Sequence, residues 1–486
     1  MHNATGCTPG APATDPCPRC DVLLGLDGVH VIGVQRQERR LRVTVQSPWK
    51  LMGCPDCGVV ALSTGRRTRV LHDVPGLVPV EVHWRQRRWA CPDAGCPQGT
   101  FSEKLPGLVA PRGSLTARAI GWAIGQLRFE HATIDGLARR LAVSWWTLWR
   151  AVKPRLEDLA ADEARFAGVP TLGVDEHVWH HTPHKSAVKG PGMFTGMVDL
   201  TRDQDGHVHA RLLDLVPGRT GKAYSSWLTD RSADFRGGVK VATLDPFRGY
   251  ANALRDDLSE AVPVLDAFHV VKLAAQAMDE VRRRVQQDTL GHRGRAGDPL
   301  FRVRNILHRS AGDLTDRQWD RLTDCLGRGD PDDEVLIAWQ CYQQVRSAYT
   351  AQTPAAGKVI AERILASIPS CPIREIARLG RTLRQWKDTY LGYFTTGGAN
   401  NGGTEAINGI IELHRRIARG YRNPDNYRLR MAPRRRRTTP PTGSAMSPQS
   451  LTSAGVPSVR YFAKAIGGAC VPGGSRHVVT RGGSGR

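Results

Sequence analysis

Thr171-Leu-Gly-Val-Asp-Glu-His-Val-Trp179 decides how the rest of the chain is read. At strand spacing Thr171, Gly173, Asp175, His177 and Trp179 share one face, and Leu172, Val174 and Val178 share the other. A carboxylate in the middle of such a strand runs against propensity and is costly to bury. Either Asp175 sits at a strand end and binds a loop, or it serves a site that needs its charge. Two more acids in matching contexts downstream favour a site.

Downstream, Met193–Leu200 and Val208–Val216 read as strands and Gly221–Asp230 as a helix. Val239–Asp245 is a fourth strand, ended by Pro246. A helix over Tyr250–Leu258, a strand over Val262–Asp266 and a helix over Phe268–Gln287 follow. Three strands in hairpin order, then helix, strand, helix and strand, match a ribonuclease-H-like α/β fold. In that order the first and fourth strands are neighbours, so Asp245 is preferred over Asp266 as the partner of Asp175. The loop carrying His180, His181 and His184 contains Pro183 and reads as solvated. Val216-Pro-Gly-Arg-Thr-Gly-Lys222 lacks the glycine spacing and hydroxyl of a phosphate loop, so no nucleotide cofactor is expected.

From Val281 the chain is helical to about residue 395, over Leu300–His308, Thr315–Leu326, Asp333–Ala348, Gly357–Ile368 and Ile373–Tyr393. Gly397-Gly-Ala-Asn-Asn-Gly-Gly-Thr-Glu405 then leads into a helix over Ala406–Arg419. Thr404 is expected to cap it, placing Glu405 in the first turn, where the helix dipole favours a carboxylate anyway. The glycines would let backbone and DNA approach. Arg415, Arg416, Arg419, Arg422 and Arg428 suit phosphate contacts or a solvated face.

Upstream, Cys17-Pro-Arg-Cys20 precedes a hairpin expected over Val22–Val45. Cys54-Pro-Asp-Cys57 and Cys91-Pro-Asp-Ala-Gly-Cys96 flank strand-like runs at Gly58–Ser63, Arg69–Val74 and Val80–Ala90. Two short-spaced cysteine pairs around a small meander predict a zinc ribbon held by Cys54, Cys57, Cys91 and Cys96. Cys17 and Cys20 are a further metal pair or free thiols. After a helix over Leu115–Phe129, Ala132–Leu141 and Trp145–Pro154 are joined by Ala142-Val-Ser144, as in a helix-turn-helix. Ser144 can cap the second helix, which offers Trp145, Trp146, Thr147, Arg150 and Lys153 to a major groove; a plain helical hairpin is the alternative. Glu157–Ala167 reads as a charged linker helix.

The 486 residues allow three or so domains, and a formal charge of +22 favours a polyanionic partner. After Arg430 there are eight Arg, one Lys and no acid, so nine of those charges sit in the tail. No apolar run approaches a membrane span and no export signal is evident, so a cytoplasmic protein is expected, with its eleven cysteines as metal ligands or free thiols. The expected divisions are 1–16 disordered, 17–106 zinc ribbon, 107–168 helix-turn-helix and linker, 169–280 and 396–430 catalytic core, 281–395 helical insertion and 431–486 basic tail.

Asp175, Asp245 and Glu405 would form one site. Carboxylates about 4 Å apart repel by ~1 kcal/mol in water and about 4 at an effective dielectric of 20. Hard divalent cations relieve this, and two Mg²⁺ (or Mn²⁺) would suit phosphodiester chemistry.

These features together resemble the DDE transposases of the ISL-three insertion-sequence group, in an actinobacterial-type version. The resemblance rests on Gly173-Val-Asp-Glu-His177, Leu244-Asp-Pro-Phe-Arg-Gly-Tyr250, Val264-Leu-Asp-Ala-Phe-His-Val-Val271, Asn401-Gly-Gly-Thr-Glu-Ala-Ile-Asn408, Ala418-Arg-Gly-Tyr-Arg-Asn423 and the N-terminal cysteine pairs. It implies a DNA-cutting and DNA-joining enzyme with Asp175, Asp245 and Glu405 as catalytic positions. It also implies an N-terminal region that binds the element's inverted repeats, and paired subunits on DNA. The chain departs from the group at Met431-Ala-Pro-Arg-Arg-Arg-Arg437, where apolar helix gives way to basic, Gly- and Pro-rich sequence. A frameshifted or truncated end is expected there, with a basic DNA-binding arm as the alternative. Two other functions fit the same residues: a non-catalytic DNA-binding regulator, and a nuclease that cuts without joining.

Overall fold

The computed structural model describes residues 18–179, 192–418 and 421–431. The expectations for Cys17, the histidine loop, Arg419 and the basic tail lie outside them. The chain divides into two units, one of residues 1–167, 211–215 and 407–437, the other of residues 168–210, 216–406 and 438–486.

The first unit opens with a helix, Pro18–Leu24, where a strand start was expected. Asp21 on that helix accepts the backbone N–H of Val31 at 2.6 Å and contacts His30 Nδ1 at 2.8 Å, tying the helix to the hairpin behind it. The strands are β1 (His30–Arg36), β2 (Leu41–Gln46), β3 (Leu62–Asp73), β4 (Val80–Ala90) and β5 (Thr100–Ser102). They lie in the order β1-β2-β4-β3, with β5 on β4. The runs read as two strands, Gly58–Ser63 and Arg69–Val74, are largely one. The ladder to β4 continues through Arg66–Arg69, and a bulge between Ser63 and Gly65 takes up the register shift. Val31, Val43, Val45, Leu71, Val82 and Trp84 form the core of this sheet.

Three helices follow, Ala117–Phe129, Ile134–Arg140 and Trp145–Ala161. Thr116, Thr133 and Ser144 cap them, each accepting the N–H three residues on. Ala142, with φ 52°, makes the tight turn between the second and third. The third helix runs through Pro154, where it was expected to stop. The proline removes the bond to the Arg150 carbonyl, at about 3 kcal/mol. Leu148, Trp149, Val152 and Leu156 are buried on both sides of it, and each such side chain contributes roughly 1.5–3 kcal/mol. The charged linker helix is thus the end of this helix plus a 3-10 turn, Glu163–Phe166, capped by Asp162.

The second sheet comprises β6 (Thr171–Val178), β7 (Met193–Asp199), β8 (Arg211–Pro217), β9 (Val241–Leu244) and β10 (Val262–Leu265). Its order is β10-β9-β6-β7-β8. β6 is antiparallel to β7 and parallel to β9, and β9 is parallel to β10. The chain is therefore mixed α/β. The helix Ala267–Leu290 leads into an all-helical stretch with its own core, including Val281, Trp339, Tyr342, Ile364, Ile376 and Leu383. Two expected helices are each split. Leu300–His308 is Pro299–Arg302 plus Arg304–Leu307, and Ile373–Tyr393 breaks at Trp386 into Arg374–Gln385 and Lys387–Thr395. At both breaks, Val303 and Trp386, the backbone leaves helical angles at φ near −104°.

The last helices are Gly402–Ile417 and Pro424–Met431. The first starts before Thr404, its expected cap. Glu405 N–H donates to the Asn401 carbonyl at 3.0 Å, so Asn401 holds the cap position and Thr404 is buried inside the first turn.

Candidate metal centres

Strand register assembles the acids. Thr171 stands opposite Val241 and Gly173 opposite Thr243, so two residues further on Asp175 meets Asp245. Likewise Leu244 stands opposite Leu265, which sets Asp245 beside Asp266. Three carboxylates thus leave three adjacent strands at one edge.

Their environments differ. Asp175 is 9% exposed, accepts the Glu176 N–H at 2.7 Å and hydrogen-bonds Asp245. Burial, then the charge of Asp245, pushes its pKa up to about 7. Burial also raises Asp245, against the pull of His269. Asp266 goes the other way: burial opposes its charge, but hydrogen bonds from His269 and from the Asn401 N–H outweigh burial and hold its pKa down. One Asp266 oxygen accepts the Asn401 N–H at 2.9 Å, and the other accepts His269 N–H at 3.2 Å and Nδ1 at 3.0 Å. The Asp266 hydrogen bond raises His269. His269 Nδ1 also lies 3.1 Å from Asp245 Oδ1, without hydrogen-bond geometry, so that buried oxygen makes no hydrogen bond.

Asn401 joins the helix Gly402–Ile417 to the sheet. Its amide donates to the Val174 carbonyl at 3.2 Å and accepts from Thr243 Oγ1 at 3.0 Å, and it is wholly buried. Glu405, one turn on, is exposed; partial burial and then the charge of Asp266 raise its pKa, with Asp175 adding and His269 opposing. Of the glycines before it, Gly397 faces open space and Gly403 does not. A Cβ on Gly403 would meet Leu200 Cδ2 at 2.5 Å and Ala210 Cβ at 3.1 Å, so this glycine lets the helix pack closely on protein.

Asp175 and Asp245 are therefore together, while Glu405 feels the charges of Asp266 and Asp175 but is not among the residues whose ligand atoms gather within 4.8 Å. Asp266 is present as well, but both its oxygens are committed to hydrogen bonds. His269 was missed. The signal was there in Asp266-Ala-Phe-His269, a capping acid followed three residues later by an imidazole that shares its helix face. Asp245, Asp266 and His269 form one of the groups with ligand atoms within 4.8 Å of one another.

The four ribbon cysteines form another such group. Cys54 Sγ lies 3.7 Å from Cys96 Sγ, and Cys57 Sγ lies 3.4 Å from Cys91 Sγ. A tetrahedron with bonds of about 2.3 Å to sulfur has edges of about 3.8 Å, so the cluster fits zinc. Gly58, at φ 76°, bends the first pair back so that its N–H reaches the Cys54 carbonyl at 2.9 Å. Cys20 packs against the core of the first sheet, and Cys17, its expected partner, lies outside the described residues.

The expected DNA-facing residues are placed unevenly. Trp146 is 67% exposed and Arg150 is exposed, whereas Trp145 is half-buried against Trp146 and Trp149. Thr147 Oγ1 bonds Ser144 Oγ at 2.8 Å, and Lys153 pairs with Glu157 at 3.4 Å. Arg415 and Arg416 both clasp Glu412, whose pKa they pull down to about 2. Arg422 is exposed. Arg428 is exposed, yet its guanidinium grips the buried Asp214 through two bonds of 2.7 and 2.6 Å.

The family model described as a transposase matches residues 172–431, more than half of the chain, which thus belongs to the ISL-three family of DDE transposases. Its similar relatives include the transposases for insertion sequence element IS1557 of two Mycobacterium tuberculosis strains. Each is 23% identical over 373 residues, covering 70% of this chain and 79% of the relative. Among solved structures, the Drosophila P element transposase strand transfer complex matches with a TM-score of 0.39 and 10% identity, over 66% of this chain and 92% of that one. Among the described residues no helix is long and apolar enough to cross a membrane.

Proposed function

We propose that this insertion-sequence transposase binds the terminal inverted repeats of its element and cuts and joins DNA at a site made by Asp175, Asp245 and Glu405. The observation that carries the reading is Asp245 Oδ1, buried and without a hydrogen bond, beside the buried carboxyl of Asp175, whose pKa burial and the Asp245 charge push up. Such a pair is unfavourable alone and complete with a hard cation. Asp175, Asp245 and Glu405 would hold Mg²⁺ or Mn²⁺, which would supply activation of a water or 3′-hydroxyl and stabilisation of the leaving oxygen. Asp266 and Asn401 keep the two strand ends and the Glu405 helix in place, and His269 offsets the negative charge. In this reading the second sheet is ribonuclease-H-like. The cysteine ribbon holds zinc, and the capped helices Ile134–Arg140 and Trp145–Ala161 act as a helix-turn-helix presenting Trp146 and Arg150 to DNA.

Asp245→Asn tests it. DNA carrying the element's ends should still be bound but no longer cut, and cleavage that survives the change would assign the site elsewhere. A pre-cut end separates a transposase, which joins it to target DNA, from a nuclease, which does not.

A further inference from the structure

Within the helical stretch, Asp279, Arg282, Arg283, Arg293, Arg304 and His308 line an open cavity of about 500 Å³. Four guanidiniums share a single carboxylate there. Asp279 is already used twice, by Arg282 at 2.7 Å and by Arg283. Arg293 and Arg304 pair with no carboxylate among the described residues, so the cavity carries uncompensated positive charge.

The wall is built rather than a loose surface. Arg282, 4% exposed, donates to Gln286 Oε1 at 2.5 Å, and Gln286, 1% exposed, donates to Asp298 at 3.3 Å. Asp298 in turn accepts the backbone N–H of Arg295 at 2.5 Å. Gly294, at φ 123°, has Phe301 Cδ2 2.8 Å and Gln286 Oε1 2.9 Å from where a Cβ would stand. That contact holds the loop, and with it Arg293, against the helix. Arg304 Cζ lies over the Phe301 ring, 3.9 Å from its centroid, and the guanidinium donates to the Phe301 carbonyl at 2.8 Å.

We propose that this cavity binds the phosphodiester backbone of DNA. Planar guanidiniums match phosphate oxygens in pairs. A free nucleotide fits less well, because one face of the cavity's aromatic ring already carries Arg304 and a base would need it. The contact is independent of base sequence and rests on the transposase reading above.

The experiment measures binding of end-bearing and unrelated DNA across salt concentrations, using the full chain and its Arg293→Gln/Arg304→Gln variant. Each phosphate contact adds about 0.9 to the slope of log affinity against log salt, so losing two lowers it by about 1.8. Affinity for both DNAs should fall together, by roughly ten- to thirtyfold near 0.15 M salt. Arg293→Gln alone touches an exposed side chain and should give about half the slope change in a protein that melts normally. Arg293→Lys should restore most of it. Unchanged slope and affinity in the variants would overturn the phosphate site while leaving end binding and cleavage intact. Binding of inorganic phosphate or ATP that the variants abolish while DNA binding stays unchanged would overturn it in favour of a small ligand. A wild-type chain that binds no DNA would sink both this site and the proposed function.

Discussion

Gly173 and Thr404 are 231 positions apart in the chain, yet a methyl group on Gly173 would overlap the Thr404 hydroxyl. Leu200 Cδ1 and Asn401 Oδ1 would stand 2.6 and 2.9 Å from the same added carbon. Gly173 shares its strand face with Asp175, so the first turn of the Glu405 helix rests directly on the strand that carries the first acid.

Gly173→Ala should therefore force the helix Gly402–Ile417 off the sheet or distort β6. Overpacking of this kind costs about 1–3 kcal/mol. The expected outcome is a lower Tm together with a loss of DNA cleavage larger than any loss of end binding. A variant that melts and cuts like the wild type would show that the helix can shift without consequence.

The cysteine cluster predicts a single bound zinc per chain, measurable by elemental analysis after dialysis. Cys57→Ser should lower the zinc content and loosen the sheet around Trp84 and Trp89, both buried, seen as a red shift in tryptophan emission. Full zinc content in Cys57→Ser would mean that the metal, if bound, is held elsewhere.

Arg428 separates a structural arginine from a DNA-binding one. Its partner Asp214 is 1% exposed, and Arg165 approaches that carboxylate only to 3.8 Å. Arg428→Ala removes two bonds to a buried carboxylate that keeps the Leu215 N–H and Arg165, and because Arg428 is itself half exposed the cost should fall below the roughly 3–5 kcal/mol of a fully buried pair. Urea unfolding should register that loss, while the salt slope of DNA binding in the protein that remains folded should not move.

Acid should weaken the helical stretch through Glu375. Burial disfavours its charge, but Arg284, which contacts it at 2.8 Å and Glu334 at 2.8 Å, holds its pKa below the ordinary value. A folded pKa below the unfolded one, near 4.3, stabilises the protein fully above about pH 5. The contribution is lost as pH falls through the folded value. Glu375→Gln should cost about 2 kcal/mol at pH 7 and progressively less below pH 4, as read from urea unfolding at both pH values.

Much of this was legible in one dimension, because the signals are local. Alternation at residues 171–179 marks a strand with an acid on it, paired cysteines mark knuckles, and Ser144 marks a cap that the helix Trp145–Ala161 uses. Helix ends were less legible. Pro154 and Thr404 were read as boundaries on local preference, and both lie inside helices whose buried faces continue past them.

The sequence by itself determined the periods, the turns and the chemical types available at each position, since these depend on neighbours a few residues away. Tertiary structure decided which of those groups meet. Strand register brought Asp245 and Asp266 to the same edge, and hydrogen bonds from Asn401 and His269 then occupied Asp266 while leaving an Asp245 oxygen with an ion pair but no hydrogen bond. The same holds for Arg428, whose partner lies 214 residues away. A charge has no local signature for its partner; the pairing follows from which surfaces pack and exclude water, and packing selects among pairings that the chain alone leaves equivalent.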